Sequence, residues 1–577
     1  MTLLARRALS ALTAVALIAG LFLGAPTPVR AAQTYYVGHL VNDYAPGSEC
    51  ANPDYWTDGD WPVDGGPYNS NNDAIQDAAD HAASGSVIYI CAGTYNFAEV
   101  VTIGAGKSLT FRGEGDETAL DGNDITRIFN SSPVNERDDG GVLSLRDMLI
   151  MDAEVTEWNA GAIVADGLSL DNVTITRTQG AFNGGALYAE GNVTIVDSTF
   201  TDNVASADGG VLYAWNGART VSISNSVFDG NLAGFSGGVI VAATLTITGS
   251  TFIDNDAGYG GAISAITVAV TNSTFTGSDA FSGGAVNAVT ATVTNSTFTN
   301  NQASNCAGAI YVDVIATVTN STFTNNQASN CGGAIYSYDT ATVTNSTFTN
   351  NDAVVGGAIY VDVAATVSNS TFRDNDASYS GGAIIANVAT VSNSSFTNND
   401  AEEEGGAISG STISVSASTF TGNGASYGGA INAGTVTAFR SIFTNNDASV
   451  SGGAIWTLNS RITASTFRNN SSGYIGGAVI ADTATIARSR FTRNAAGEHG
   501  GAVILLRPSR DDLRKLRRNT FSRNTAASGG AMTLGFCLPL SRSQAAQVER
   551  ANRFSGNRAT EQRRTQNIER PVGSCGG

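Results

Sequence analysis

The sequence predicts an all-β fold: a single-stranded, right-handed parallel β-helix, a solenoid of about 18 coils of ~24 residues each. A short capping helix is expected at its N-terminal end and a helical, basic cap at its C-terminal end. Three observations carry this reading. First, "ATVTNSTFTNNQASNC" at 291–306 returns letter for letter at 316–331, and "ATVTNSTFTNN" starts again at 341. Second, Phe recurs at 200, 228, 252, 275, 298, 323, 348, 372, 396, 420, 443, 467, 491, 521 and 554, most often every 24 residues. All fifteen have Asn three residues later except Phe275, which has Ser278. Third, Gly-Gly, then Ala or Val, then an aliphatic residue follows most of them, as "GGAI" at 356–359, 381–384, 405–408, 428–431 and 452–455.

Each unit therefore reads as strand, F-x-x-N, variable loop, G-G-A-I and next strand. The segments are too short for helices and alternate with period two, Ala291 and Val293 to one side, Thr292 and Thr294 to the other. Thr, Val, Ile and Phe suit strands, while Asn and Gly tolerate the left-handed backbone of a turn. One unit cannot bury its own apolar face, but units stacked at the ~4.8 Å strand spacing can. Stacking puts Phe298, Phe323 and Phe348 in one interior column and Asn301, Asn326 and Asn351 in another, their amides bonded as a ladder. Letter-perfect copies then mean consecutive coils.

The expected organisation is a signal peptide at 1–32, an N-terminal cap with a short helix and first strand at 33–94, and irregular coils at 95–183. Regular repeats at 184–504 and a segment of last coils, helical inserts and cap at 505–577 complete it. Arg6 and Arg7 precede an apolar run from Ala8 to Gly24 and small residues near Ala31, the pattern of a secretory leader. "NNDAIQDAADHAASG" (71–85) reads as an amphipathic helix with Ile75, Ala78, Ala79 and Ala82 inward, and "SVIYICAGTY" (86–95) as a first strand. "RPSRDDLRKLRR" (507–518) and "SRSQAAQVERAN" (541–552) read as helices in the C-terminal segment. No later stretch reaches about 18 apolar residues, so no membrane span is expected in the mature chain.

Written as FxxN plus G-G-A followed by Ile, Leu or Val, the motif resembles the repeat of chlamydial polymorphic outer-membrane proteins, shared by many bacterial secreted β-helix proteins. The resemblance covers about 184–557 and implies a β-helix of the surface-exposed class. Known members of that family are autotransporters and adhesins that end in a membrane β-barrel. Residues 555–577 hold no alternating strands for one, so the barrel is not expected here.

Six cysteines fit an oxidising compartment and pair by proximity as Cys50 with Cys91, Cys306 with Cys331, and Cys537 with Cys575, one of 15 connectivities. Cys306 and Cys331 would sit one rung apart, near ~4.8 Å between Cα atoms, within disulfide range if the loop adjusts. The net charge is −19, yet residues 505–577 carry 14 Lys and Arg against 5 Asp and Glu, leaving 17 against 45 elsewhere. An acidic body excludes a nucleic-acid partner.

Enzyme motifs fail. "DDG" stands at 138–140, but the GHG and RIK of polygalacturonases are missing. "GAGKS" (104–108) has Val101 where a P-loop needs Gly, and His499 in "GEHGG" reads as a solvated loop side chain. "RPSRDD" has the residue types of a calcium-dependent lyase site but lies in an irregular insert.

Columns say more. Asp stands four residues after Phe at 256, 279, 352, 376, 400 and 447, and Asp352, Asp376 and Asp400 would stack as a column able to bridge calcium, the one cofactor considered. Phe235, Tyr259, Phe281, Tyr379, Tyr427 and Tyr474 form a loop column before Gly-Gly. Tyr311, Tyr336 and Tyr360 follow G-A-I on successive coils beside Asp313, Asp339 and Asp362, as a sugar- or protein-binding face would. The Thr pairs 292/294, 317/319 and 342/344 also stack, until Ser368 and Ser392 interrupt them. The expected protein is a monomeric, secreted or cell-surface, non-enzymatic adhesion scaffold for a glycan, surface polymer or protein. The alternative is a lyase or hydrolase acting on acidic polysaccharide.

Overall fold

The computed structural model describes residues 32–38, 50, 55–56, 71–131, 141–157, 159–215, 219–535, 540–560 and 567–569. Residues 1–31 of the expected leader, His39, Asp138–Gly140, Cys537 and Cys575 lie outside the described residues. The fold is an all-β parallel solenoid of about 17 turns: seventeen short strands from Glu154–Val155 to Arg558–Ala559 stack in one column, and the longer segments pair as a second stack. Pairing joins equivalent residues one coil apart, as in Phe298↔Phe323↔Phe348 and Thr317↔Thr342↔Thr366.

Three left-handed corners bend each regular coil. Two flank the Phe strand, at Asn320 (φ 51°) and Asn325 (φ 55°) in the coil of Phe323. The third is the first Gly of Gly-Gly, Gly332 at φ 64°, a conformation that Asn and Gly adopt with least strain. The second Gly answers to space instead. A Cβ on Gly333 would lie 2.1 Å from the carbonyl oxygen of Gly357 on the next coil.

Inside, fifteen Phe rings stack from Phe200 to Phe554, for example at 5.0 Å and 4° between Phe298 and Phe323 and 4.7 Å and 2° between Phe323 and Phe348. Beside them runs the Asn ladder. Asn326 Nδ2 donates to the Phe298 carbonyl of the preceding coil (3.0 Å) and to Asn351 Oδ1 of the following one (3.0 Å). The Asn326 backbone N–H donates to the same Asn351 oxygen (3.1 Å). Each amide thus ties three coils and is fully bonded while wholly buried, as a buried amide must be. A Ser ladder runs in parallel: the Ser321 backbone N–H donates to Ser346 Oγ at 3.1 Å, and Ser321 Oγ donates to the Thr319 carbonyl at 2.8 Å. The Asn ladder fails once. Ser278 is fully buried, its backbone N–H reaches Asn301 Oδ1 at 3.1 Å, and its Oγ has no hydrogen-bond partner.

Helix α1 (Asn71–His81) joins the core through Ala74, Ile75, Ala78 and Ala79, with Ala82 just beyond it. Lys107, from "GAGKS", donates its ammonium to the Ala79 (2.5 Å) and Asp80 (3.2 Å) carbonyls at the C-terminal end of α1, where a cation complements the helix dipole. Burial pushes that ammonium below its ordinary pKa. Helices α2 (Arg510–Lys515) and α3 (Arg542–Ala551) each begin with a capping box, at Ser509/Asp512 and Ser541/Gln544. Leu513 and Leu516 at α2 and Val548 of α3 enter the core.

Two disulfides form among the described residues, Cys50–Cys91 and Cys306–Cys331. The second spans one rung in direct register, with Cα atoms 4.6 Å apart, and closes a 25-residue span. Such a link stabilises by roughly 3 kcal/mol.

Two substitutions test this framework. Ser278→Asn completes the Asn ladder and is expected to stabilise the rungs around Phe275 by about 1 kcal/mol, seen as slower amide hydrogen exchange there. Ala307 occupies a left-handed corner (φ 65°) that Gly fills in the neighbouring coils. Ala307→Gly is expected to gain up to ~1 kcal/mol, whereas a loss of stability would show that the corner is not strained.

Candidate functional site

The strand that leaves each Gly-Gly corner alternates inward and outward. In Ile310-Tyr311-Val312 the aliphatic residues are buried and the Tyr is half-exposed. Register carries that outward position through Tyr311↔Tyr336↔Tyr360. The rings stack at 4.9 Å and 15°, then 5.4 Å and 13°. The same column holds a second pair, Tyr188 and Tyr213, stacked at 5.6 Å and 11°. The sequence signal for this pair was Leu-Tyr-Ala after G-G-A (187–189) and after G-G-V (212–214).

Asp362 organises the ladder. The Tyr336 hydroxyl donates to its carboxylate at 2.8 Å, across one coil. Burial first, then that hydrogen bond, holds the Tyr336 phenol well above its ordinary pKa. Burial and the charge of Asp362 raise Tyr360 as well, and burial with Asp313 and Asp362 raises Tyr311. These phenols are therefore neutral hydrogen-bond donors rather than bases or nucleophiles at ordinary pH. Asp313, Asp339 and Asp362 do not share one column. Val312, Ser337 and Val361 are in register, and the residues after them are Asp313, Tyr338 and Asp362, leaving Asp339 one position on. Tyr338 takes the position that Asp313 and Asp362 hold in the neighbouring coils, and it is exposed.

Beyond Tyr360 the column continues as Ile385, Ser409 and Asn432. Smaller side chains leave a groove of about 330 Å³, lined among others by Tyr360, Asp362, Asn387, Glu404, Ser411 and Asn432. The loop column splits: Phe235, Tyr259 and Phe281 make edge-to-face contacts at 5.6 and 5.8 Å. Tyr379, Tyr427 and Tyr474 are exposed, and Glu403 and Val450 come between them.

The remaining candidates have other partners. His499 Nδ1 lies 2.8 Å from Glu569 Oε2, a buried carboxylate that also accepts from Thr533 Oγ1 at 3.1 Å, so His499 is not a freely solvated loop residue. In "RPSRDD", Asp512 accepts from the Ser509 backbone N–H at 2.8 Å and so starts α2.

Asp352, Asp376 and Asp400 do stack in register, one per rung. Among the described residues only Cys50, Cys91 and Glu114 bring three ligand atoms mutually within 4.8 Å, and those cysteines form a disulfide. The three aspartate carboxylates therefore do not converge on a single point. Burial raises each of their pKa values. Neighbouring charge adds to this, from Asp376 at Asp352 and Asp400 and from Glu402 at Asp376. A carboxyl raised in the folded state contributes stability that is complete below its unfolded pKa and is lost as pH rises through the folded value. Asp376→Asn is accordingly expected to stabilise these rungs at pH 7 by ~0.2–1 kcal/mol, reduced by solvent screening, and to leave them unchanged at pH 3. Hydrogen exchange at the two pH values checks the sign.

The Chlamydia polymorphic membrane protein (Chlamydia_PMP) repeat matches residues 197–214, 295–313, 320–338 and 440–458. A comparison with curated proteins finds no match. Among solved structures, Geobacillus virus E2 ORF18 aligns at 15% identity and TM-score 0.28, over 53% of this chain and 56% of its own. The PL6 family alginate lyase AlyGC aligns at 12% identity and TM-score 0.25, over 85% of this chain and 89% of its own. PfbA, a surface adhesin of Streptococcus pneumoniae, aligns at 14% identity and TM-score 0.19, over 73% and 90%. Superpositions this loose carry no residue's role across. The four repeat matches fall on coils of the stack just described, and the chain is a parallel β-solenoid built with repeats of the Chlamydia polymorphic membrane protein type.

Proposed function

We propose that this protein is a secreted or cell-surface scaffold that binds a glycan or surface polymer, without transforming it, along the tyrosine face. The observation that carries this is the ladder Tyr311–Tyr336–Tyr360, fixed by Asp362 and opening onto the groove at Asn387, Glu404 and Asn432. Stacked phenols offer apolar ring faces and neutral O–H donors, while the carboxylates and amides accept and donate around them. A sugar ring needs that combination. A ladder repeating every coil also suits a ligand that is itself a chain. Two disulfides and repeats of a membrane-protein type support a location outside the cytoplasm. No helix among the described residues is long and apolar enough to cross a membrane. In this reading α1 closes the N-terminal end of the core, and the arginine-rich segment bearing α2 and α3 closes the other.

A glycan array with the full chain tests the proposal. The wild type is expected to bind a restricted set of glycans, with Tyr336→Ala and Asp362→Asn each weakening binding at least tenfold. Binding that neither substitution alters would remove the tyrosine face from the reading. Shortening of an acidic polysaccharide by the purified protein would replace a scaffold with an enzyme. A calcium titration of thermal stability, compared between wild type and Asp376→Asn, reports whether pairs in the aspartate column take up the ion.

A further inference from the structure

A second surface lies roughly half a coil from the tyrosines, where the Phe strand shows its outer side. Residues one before and one after each Phe point outward, and so do the two left-handed corners that flank the strand. Between its ends this face is mostly short and uncharged, with Thr297, Thr299, Asn295 and Asn300 repeated as Thr322, Thr324, Asn320 and Asn325, apart from Arg373 and Asp374 beside Phe372, Arg440 before Phe443 and Arg468 after Phe467. Its two ends are charged and opposite. At the N-terminal end stand Asp197 and Asp202 on the rung of Phe200, Asp229 on that of Phe228, and Asp254 on that of Phe252. At the other end stand Arg488, Arg490 and Arg493 on the rung of Phe491, Arg518 and Arg523 on that of Phe521, and Arg553 on that of Phe554.

The arginines work against the fold. Arg488 (φ 56°), Arg493 (φ 57°), Arg518 (φ 60°) and Arg523 (φ 58°) occupy left-handed corners that Asn or Gly fills elsewhere. Register sets Arg488 over Arg518 and Arg493 over Arg523, like charge on like charge. None of the four forms an ion pair with a described carboxylate, in contrast to Arg112, Arg146, Arg177 and Arg507 on other rungs. At the acidic end the crowding is similar. Burial, then Asp254 and Asp202, push the Asp229 carboxyl above its ordinary range. Backbone strain and repulsion placed together on an exposed surface are relieved by a partner of opposite charge.

Fifteen Phe rungs run along the face, with Phe372 the eighth, and the rung of Ile175 continues it at the N-terminal end, where Arg177 is paired with Asp152. A two-fold axis through the Phe372 rung brings the first Phe rung onto the fifteenth, the second onto the fourteenth and the third onto the thirteenth. Every aspartate rung then meets an arginine rung. On the central rung Arg373 and Asp374 already stand side by side at 3.5 Å, so the charge there is balanced within each copy. We propose that the face pairs antiparallel with the same face of a second copy of this chain, in a symmetric dimer. The surface available is about 67 Å by about 16 Å, from the strand spacing and rise, near 1,000 Å² per copy; a stable complex needs about 800 Å². A linear polyanion would account for the arginines alone. Only a second copy also accounts for the acidic rungs at the mirror positions.

The test is the mass of the full chain by sedimentation, at low and high salt. A dimer at micromolar concentration is expected, with its dissociation constant rising at least tenfold between 50 mM and 500 mM salt. The triple variant Arg493→Glu, Arg523→Glu, Arg553→Glu is expected to be a monomer, and so is Asp202→Lys, Asp229→Lys, Asp254→Lys. Mixed together, the two triple variants are expected to form a one-to-one heterodimer, which also shows that both have folded. Thr371→Cys, on the central rung, should cross-link to itself, whereas Thr199→Cys should not. A wild type that stays monomeric at low salt overturns the proposal. So does a mixture that fails to pair, or a monomer that binds heparin through the arginine rungs.

Discussion

The buried asparagine ladder is the constraint on which the rest of the solenoid depends. Each amide is removed from water, so all of its hydrogen-bonding capacity must be met inside. Only the carbonyl of one neighbouring coil and the amide of the other are placed to do so, as Asn326 shows with Phe298 and Asn351. A coil displaced by one residue would present the wrong side chain to that oxygen and would turn its Phe to the solvent. The ladder therefore sets register as well as stability, and the stacked Phe rings beside it add apolar burial to a geometry already chosen. The serine ladder does the same on a smaller scale at the preceding corner.

Register held this closely turns sequence repetition into spatial rows. One residue per coil, if repeated, becomes a column with a ~4.8 Å period, and columns are this fold's means of building surfaces. A tyrosine that would be unremarkable alone becomes a three-ring platform. An aspartate becomes a ladder in which burial, and then the charge of Asp376, raises the carboxyls on either side of it. Rows of like charge are tolerated because solvent screens them, yet they leave a residual repulsion that a partner can use. The acidic and basic ends of the Phe face are two such rows, separated by a middle whose only charged side chains are Arg373, Asp374, Arg440 and Arg468.

The two faces divide the work in this reading. The tyrosine face has half-buried rings, a bonded carboxylate and a groove that opens where the column changes to smaller residues. The Phe face is shallow and patterned by charge. The first suits a chain-like ligand entering from solvent, the second a flat partner of matching length. Because they lie on different parts of the coil, occupation of one leaves the other free.

The coil period, the three corners, the interior columns and the cysteine pair at 306 and 331 were all legible in the amino-acid order, because in a solenoid the repeat in sequence is the repeat in space. The same logic located Tyr311, Tyr336, Tyr360 and the Asp352–Asp376–Asp400 column. It did not reach interactions that depart from the period. Tyr338 stands where the neighbouring coils carry Asp313 and Asp362, which leaves Asp339 one position on, and Asp362 holds the Tyr336 hydroxyl. His499 meets Glu569, and Lys107 meets the end of α1, across separations that no repeat encodes. The charge halves of the Phe face were visible only as an overall excess of arginine near the C-terminus. By itself the sequence determined the stack and its columns, since local turn chemistry and a fixed period suffice for that. Only the tertiary structure decided which side chains from different columns meet, since bulges and end segments break the period and distance then depends on packing.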